Sequence, residues 1–185
     1  MKLHSVIQTA EEIRAGDAGV PDPEELCRKH DVILLYYPMG VGRTACKGFI
    51  LKQSERVAIT VNSDLSLPMR RIIMFHELSH YFLHIRTGLT EVVHDFSVCD
   101  AANRSEYEAN LLTAELSIPD TAVLDDLSEG MDFYMIAERL ETLPELLDFK
   151  LQLMREKGYP IPEFSIHATG SFLKQADDAA FADVG

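Results

Sequence analysis

The spacing of apolar residues changes twice along the chain, from helical to strand-like and back to helical. Near the start, four apolar residues recur as they would on one face of a helix: Val6, Ile7, Ala10 and Ile13. A second helix is predicted to begin at Asp22, which can cap it, with Pro23 in its first turn. Two short helices therefore open the predicted fold.

Three apolar runs in the middle of the chain predict β-strands, over residues 32–37, 49–51 and 57–61. Pro38 ends the first run, and the polar residues 53–55 separate the other two. Because these runs are short and follow one another closely, we expect a small, mostly antiparallel three-stranded sheet.

The rest of the chain predicts helices almost throughout. Ser66 and Pro68 predict the start of a helix in the most apolar part of the chain. Later helices are predicted near residues 103–117, 120–127, 131–141 and 144–156. We therefore expect an α+β fold in which the sheet packs beside one central helix and a helical C-terminal half follows. Residues 1–160 would form one domain, and 161–185 a C-terminal tail that is either loose or docked on the body.

Length and charge narrow the class of protein. A chain of 185 residues with 46% hydrophobic and 25% charged residues suits one soluble globular domain. Its formal charge of -13 argues against direct binding to nucleic acid and suits a basic partner instead. We expect a cytoplasmic protein, because the sequence shows no signal peptide, no apolar stretch able to span a bilayer and no cysteine spacing typical of disulfides.

The predicted central helix carries the string His76-Glu77-Leu78-Ser79-His80, which has the form H-E-x-x-H. Residues four apart lie on one face of a helix, so His76 and His80 can bind one metal ion together, with Glu77 beside them. Two neutral imidazoles favour zinc. The alternative is a hydrogen-bonded pair of histidines without a metal. We favour the metal because this helix is apolar on nearly every other side, where polar groups need a partner.

A catalytic zinc ordinarily has three protein ligands and one open position. A third histidine at the spacing H-E-x-x-H-x-x-G-x-x-H is absent, because Leu83 and Arg86 occupy the positions of the glycine and that histidine. Two other histidines follow the motif. His84, one turn on, would line the cleft or cap the helix end, and His94 lies further downstream. A carboxylate is therefore the better candidate for the third ligand.

The predicted helix near residues 103–117 supplies three glutamates. Glu106 shares its face with small and polar residues, which suits close approach by another helix. Glu108 and Glu115 fall on the far side and are interpreted as plain surface charge. Glu106 is therefore the predicted ligand, and Asn110, one turn on, is placed to orient a ligand histidine through its side-chain carbonyl.

Taken together, these segments resemble the ImmA/IrrE family of zinc metallopeptidases, which belong with the gluzincins. The strings that carry the resemblance are H-E-L-S-H-Y-F-L-H from residue 76 and E-Y-E-A-N-L-L-T-A-E-L from residue 106, with Lys47–Ile50, Ile59–Asn62, Arg70-Arg71 and Ile118-Pro119 around them. The resemblance covers roughly residues 20–160. Two departures are Asn110, where gluzincins often carry Asp, and Leu112, where Phe is common.

The resemblance implies a zincin-like fold and a zinc-dependent endopeptidase. It implies three zinc ligands, His76, His80 and Glu106. It implies that Glu77 is the catalytic base, and that the substrate is a protein, namely a helix-turn-helix repressor of the kind that known members cleave. The group that contacts substrate or stabilises the oxyanion is left open among three side chains: His84, His94 and Tyr107.

Two other functions stay open at this stage. One is a non-catalytic module that binds metal or sequesters a regulator, although a structural site would have no use for Glu77. The other is a zinc hydrolase that acts on a small amide. For a peptidase, we expect an extended substrate to add to the strand at 57–61, because that strand directly precedes the metal-binding helix.

Overall fold

The computed structural model of the chain describes residues 3–14, 20–42, 44–87, 104–162 and 164. Within these ranges the chain forms three strands, seven α-helices and one π-helical turn. In order they are α1 (Leu3–Arg14), α2 (Pro23–Lys29), β1 (Val32–Tyr37), β2 (Gly48–Gln53), β3 (Arg56–Asn62), α3 (Leu67–His80), the π-helical turn (Tyr81–Ile85), α4 (Arg104–Ser117), α5 (Asp120–Ser128), α6 (Phe133–Arg139) and α7 (Pro144–Glu156). The predicted α+β class is confirmed.

The three strands form one mixed sheet in the order β1-β3-β2. β2 and β3 are antiparallel and are joined by a tight turn at Ser54, whose φ of 55° is left-handed. β1 and β3 are parallel, with Val32 opposite Val57 and Tyr37 opposite Asn62. The chain reverses direction twice between β1 and β3, so these strands run the same way when they become neighbours. The antiparallel pairing that we predicted for most of the sheet therefore holds for one of its two strand pairs.

β3 lies in the middle of the sheet, and both of its edges are hydrogen-bonded to neighbouring strands. The prediction that an extended substrate adds to the strand at 57–61 is therefore wrong. Strands that follow one another usually become neighbours, but their order along the chain does not decide which of them is central. In the described part of the chain, the edges of this sheet belong to β1 and β2.

α3 is the central helix that the apolar pattern predicted. Ser66 caps it by accepting a hydrogen bond from a first-turn N–H at 3.5 Å, and Pro68 fits its first turn. Every residue from Ile72 to His80 is buried, because the sheet packs on one side of the helix and α4 on another. The approach to the sheet is closest at Gly48, where an added Cβ would lie 2.4 Å from Cγ2 of Ile73.

A cluster of ion pairs, which we call the Lys150 ion cluster, joins α4 to the helices around it. Its members are Arg14, Glu115, Asp120, Lys150 and Lys157. Nζ of Lys150 lies 2.8 Å from Oε2 of Glu115 and 2.6 Å from Oδ1 of Asp120. Glu115 and Glu108 are both buried, so our interpretation of them as surface charge is wrong. The physical reason for Glu115 is that α1 and α7 also pack against α4 and cover its second face.

The residues after α7 continue along the body of the protein. Ile161 is buried, and the ring of Phe164 lies 5.5 Å from that of Phe133. The rest of the predicted tail, 165–185, lies outside the described residues, so the division at residue 160 stays a prediction. No described helix is both long and apolar enough to cross a membrane.

Candidate metal centre

α3 brings two imidazoles together in the interior of the fold. His76 and His80 are one turn apart, each is 2% exposed, and their Nε2 atoms lie 3.1 Å from each other. Their rings meet nearly at right angles, with an interplanar angle of 79°. Two imidazole nitrogens at this distance need a proton or a metal ion between them, because their lone pairs would otherwise face each other.

The third group of the site comes from α4. Glu106 stands in the first turn of that helix and is 4% exposed. Its Oε2 lies 3.3 Å from Nε2 of His76, and its Oε1 lies 3.2 Å from Nε2 of His80. The helices approach closely because small residues lie between them, and Oγ of Ser79 is 3.2 Å from Oγ1 of Thr113. The structure thus brings together the three predicted metal ligands.

These three side chains form a compact donor set that fits a divalent cation. Their nitrogen–nitrogen and nitrogen–oxygen distances are 3.1 to 3.3 Å, and the edge of a tetrahedron around an ion with bonds of about 2.0 Å is about 3.3 Å. Oε2 of Glu106 is buried and faces Nε2 of His76. Among the described residues, these are the His, Cys, Asp and Glu side chains close enough to share one ion.

Electrostatics keep the carboxylate of Glu106 ionised. Burial alone would raise its pKa, but hydrogen bonds and positive charge from His76 and His80 outweigh burial and hold the pKa well below its usual range. The ionised carboxylate is the form that binds a cation. The site is therefore arranged for positive charge in its centre.

Two further predicted residues lie on the same helices as the ligands. Glu77 follows His76 on α3 and is 6% exposed. Asn110 lies one turn after Glu106 on α4 and is fully buried. The helical spacing that placed them near the metal ligands is therefore preserved, while the catalytic role of Glu77 and the orienting role of Asn110 stay predictions.

The three side chains predicted to contact substrate or the oxyanion differ in their surroundings. His84 is buried, and its Nε2 lies 3.3 Å from the carbonyl oxygen of Ser105. Tyr107 is partly exposed, and its hydroxyl donates to Oε1 of Gln152 on α7 at 3.3 Å. His94 lies outside the described residues. The polar contacts of His84 and Tyr107 are therefore with the protein itself.

No pattern in the sequence predicted the π-helical turn that follows α3. The N–H of Arg86 donates to the carbonyl of Tyr81, five residues earlier, at 2.8 Å. The ring of His84 then lies 5.5 Å from that of His80. Burial first, and then positive charge on His80, lower the pKa of His84, which favours the neutral imidazole. His84 thus lies beside the predicted metal ligands as a neutral hydrogen-bonding group.

A buried H-E-x-x-H pair completed by a glutamate from a second helix is the site of a metallopeptidase. Comparison with known proteins agrees, since the sequence profile of the peptidase M78 family, described as the IrrE N-terminal-like domain, matches residues 27–152. The chain therefore belongs to this family, and the resemblance noted from its motifs is confirmed. It is also 25% identical to the metallopeptidase ImmA of Bacillus subtilis (strain 168) over 171 residues, which cover 91% of this chain and 93% of that protein.

Proposed function

We propose that the protein is a zinc-dependent endopeptidase that hydrolyses a peptide bond in one specific protein, a helix-turn-helix transcriptional repressor in the cytoplasm. The observation that carries the proposal is the buried cluster of two imidazoles and a carboxylate, spaced 3.1 to 3.3 Å apart. Glu77, on the same helix as the imidazoles, adds a second carboxylate that a purely structural metal site would not need.

Zinc is the ion that this donor set favours. Imidazole nitrogens and a carboxylate oxygen are ordinary zinc ligands, whereas magnesium and calcium prefer sites made of oxygen alone. Three protein ligands leave one position of a tetrahedral ion open, as catalytic zinc sites require. The donor set therefore supports zinc and a catalytic rather than a structural site.

The residues of the chain divide the chemistry between them. A bound zinc ion supplies Lewis acidity, which polarises a carbonyl group and acidifies water. His76, His80 and Glu106 would hold the ion. The carboxylate of Glu77 would take a proton from the attacking water and then deliver it to the nitrogen of the leaving amine. Glu77 is 6% exposed, so its carboxylate lies within the fold on the same helix as the two imidazoles.

A protein substrate is supported by the charge of the chain and by the shape of the sheet. A formal charge of -13 attracts basic proteins, and DNA-binding repressors are basic on the surface that meets DNA. β1 and β2 each have one edge without a strand partner in the described sheet, so an extended segment of substrate would bind there as an added strand. The family resemblance implies the same class of substrate.

The test of this function compares Glu77→Gln with His80→Ala. We expect Glu77→Gln to keep the metal content of the wild type and to lose cleavage by about 100-fold or more, since general-base catalysis typically contributes 10²–10⁴-fold. His80→Ala should lose metal and cleavage together. Metal content is measured by inductively coupled plasma mass spectrometry. Cleavage by Glu77→Gln at the wild-type rate would show that the assigned base is wrong.

The substrate is tested with the repressor encoded nearest to this protein, mixed with the zinc-loaded enzyme and analysed by intact-mass spectrometry. We expect two fragments with the wild type and none with Glu77→Gln. A wild-type protein that binds both zinc and this repressor and leaves it uncut would instead support the sequestering module.

A further inference from the structure

His84 is buried at the junction between the two helices that supply the metal ligands. It belongs to the π-helical turn that continues α3, and it is 5% exposed. Its ring lies 5.5 Å from the ring of His80, and its Nε2 lies 3.3 Å from the carbonyl oxygen of Ser105. One side chain therefore contacts a ligand on α3 and the backbone of α4.

The partner of His84 is the residue directly before the third ligand. Ser105 and Glu106 both stand in the first turn of α4. The ends of helices fray more readily than their centres, so a ligand in a first turn depends on contacts that hold that turn. A backbone carbonyl has two lone pairs and can accept a hydrogen bond from a side chain in addition to its bond within the helix. A bond to Ser105 thus restrains the backbone directly before Glu106.

We propose that His84 is a positioning residue, whose Nε2–H donates to the carbonyl of Ser105 and thereby sets the distance of Glu106 from His76 and His80. This inference rests on the proposed metal site, and it gives His84 a role other than contact with substrate. The π-helical turn contributes to this role, because it places the ring of His84 next to the carbonyl of Ser105. The consequence is that His84 controls metal affinity without being a ligand.

The experiment uses three variants of the full chain. His84→Phe keeps a buried ring and removes the donor. His84→Gln keeps an N–H donor at about the same distance from the backbone. His30→Phe is the matched control, because His30 packs against the same π-helical turn, with its ring 4.9 Å from that of Phe82, on a different element.

Cobalt replaces zinc as the probe, since its visible spectrum reports both occupancy and coordination geometry. Removal of a hydrogen-bonding partner near a metal site typically costs about 10- to 100-fold in affinity, and we expect that loss for His84→Phe, with a changed cobalt spectrum. His84→Gln and His30→Phe should stay near the wild-type affinity. Wild-type affinity in His84→Phe would overturn the inference. Equal losses in His84→Phe and His84→Gln, or in His84→Phe and His30→Phe, would overturn it as well.

Hydrogen–deuterium exchange of the metal-free proteins separates this inference from the proposed function. In His84→Phe we expect faster exchange of the amides at 108–111, which donate to the carbonyls of the first turn of α4, with α7 unchanged, and restoration in His84→Gln. This measurement decides the role of His84 even if the wild type binds no metal, a result that would refute the proposed function. Unchanged exchange of the amides at 108–111 would overturn the inference.

Discussion

The Lys150 ion cluster predicts that two substitutions of neighbouring residues have very different costs. It contains three cations and two carboxylates: Arg14, Lys150 and Lys157 with Glu115 and Asp120. The cluster therefore carries one positive charge in excess, and Lys150 is the member with no exposed surface. Loss of a carboxylate would increase the excess, whereas loss of Lys150 would balance the charges.

The expected change in the free energy of unfolding follows from this count of charges. Glu115→Gln leaves three cations with one carboxylate, and removal of one partner from a buried ion pair typically costs about 3–5 kcal/mol. Lys150→Met leaves two cations with two carboxylates and fills the same space with an apolar chain, so we expect a loss below about 2 kcal/mol. Set against a typical free energy of unfolding of about 5–15 kcal/mol, the first change is severe and the second mild.

The assay is urea denaturation of the metal-free proteins at pH 7, followed by circular dichroism, so that metal binding does not add to the measured stability. The free energy of unfolding must fall with urea concentration at the same slope in each protein before the values are compared. The reasoning is refuted if Lys150→Met destabilises the protein as much as Glu115→Gln, or if neither changes the free energy of unfolding by more than about 0.5 kcal/mol.

Two further predictions concern the packing of the sheet and the loss of folding stability at acid pH. Gly48→Ala should destabilise the protein by about 1–3 kcal/mol, because its Cβ would overlap Cγ2 of Ile73. If Gly48→Ala lowers the free energy of unfolding less in an Ile73→Ala background than in the wild type, as measured by urea denaturation, the overlap with Ile73 is supported. An equal loss in both backgrounds would refute it. The pKa of Asp120 is lowered, since Lys150 and Lys157 outweigh its burial; its stabilisation should be full above the unfolded pKa of about 3.9 and lost as pH falls below it. The stability gap between wild type and Asp120→Asn should therefore narrow from pH 6 to pH 3, and a constant gap would contradict the assignment.

The parts of the fold that could be predicted are those set by local periodicity. The four-residue spacing of His76 and His80 and the apolar surroundings of α3 indicated a buried helix with two imidazoles on one face. Glu106 could be singled out because Asn110 and Thr113 share its side of α4, and small groups on that face permit the close approach that the structure shows. Both inferences needed only the sequence within one helix.

The parts that could not be predicted depend on contacts between distant segments. Glu115 is buried because its partner Lys150 lies 35 residues later on α7, and a single helix cannot reveal which of its faces a later helix covers. The central place of β3 depends on which strand takes each edge of the sheet, which local pattern does not encode. The π-helical turn and the contact of His84 with Ser105 likewise arise only when α3 and α4 pack together.

The central claim is that side chains from α3 and α4 jointly hold one divalent cation, with Glu106 as the ligand from α4. The most direct test is a competitive zinc titration of the wild type, Glu106→Ala and Glu108→Ala. We predict one zinc ion per chain in the wild type and in Glu108→Ala, and a loss in Glu106→Ala greater than the roughly 100-fold ceiling for removal of a ligand's hydrogen-bonding partner. Undiminished binding in Glu106→Ala, or a loss confined to Glu108→Ala, would contradict the account.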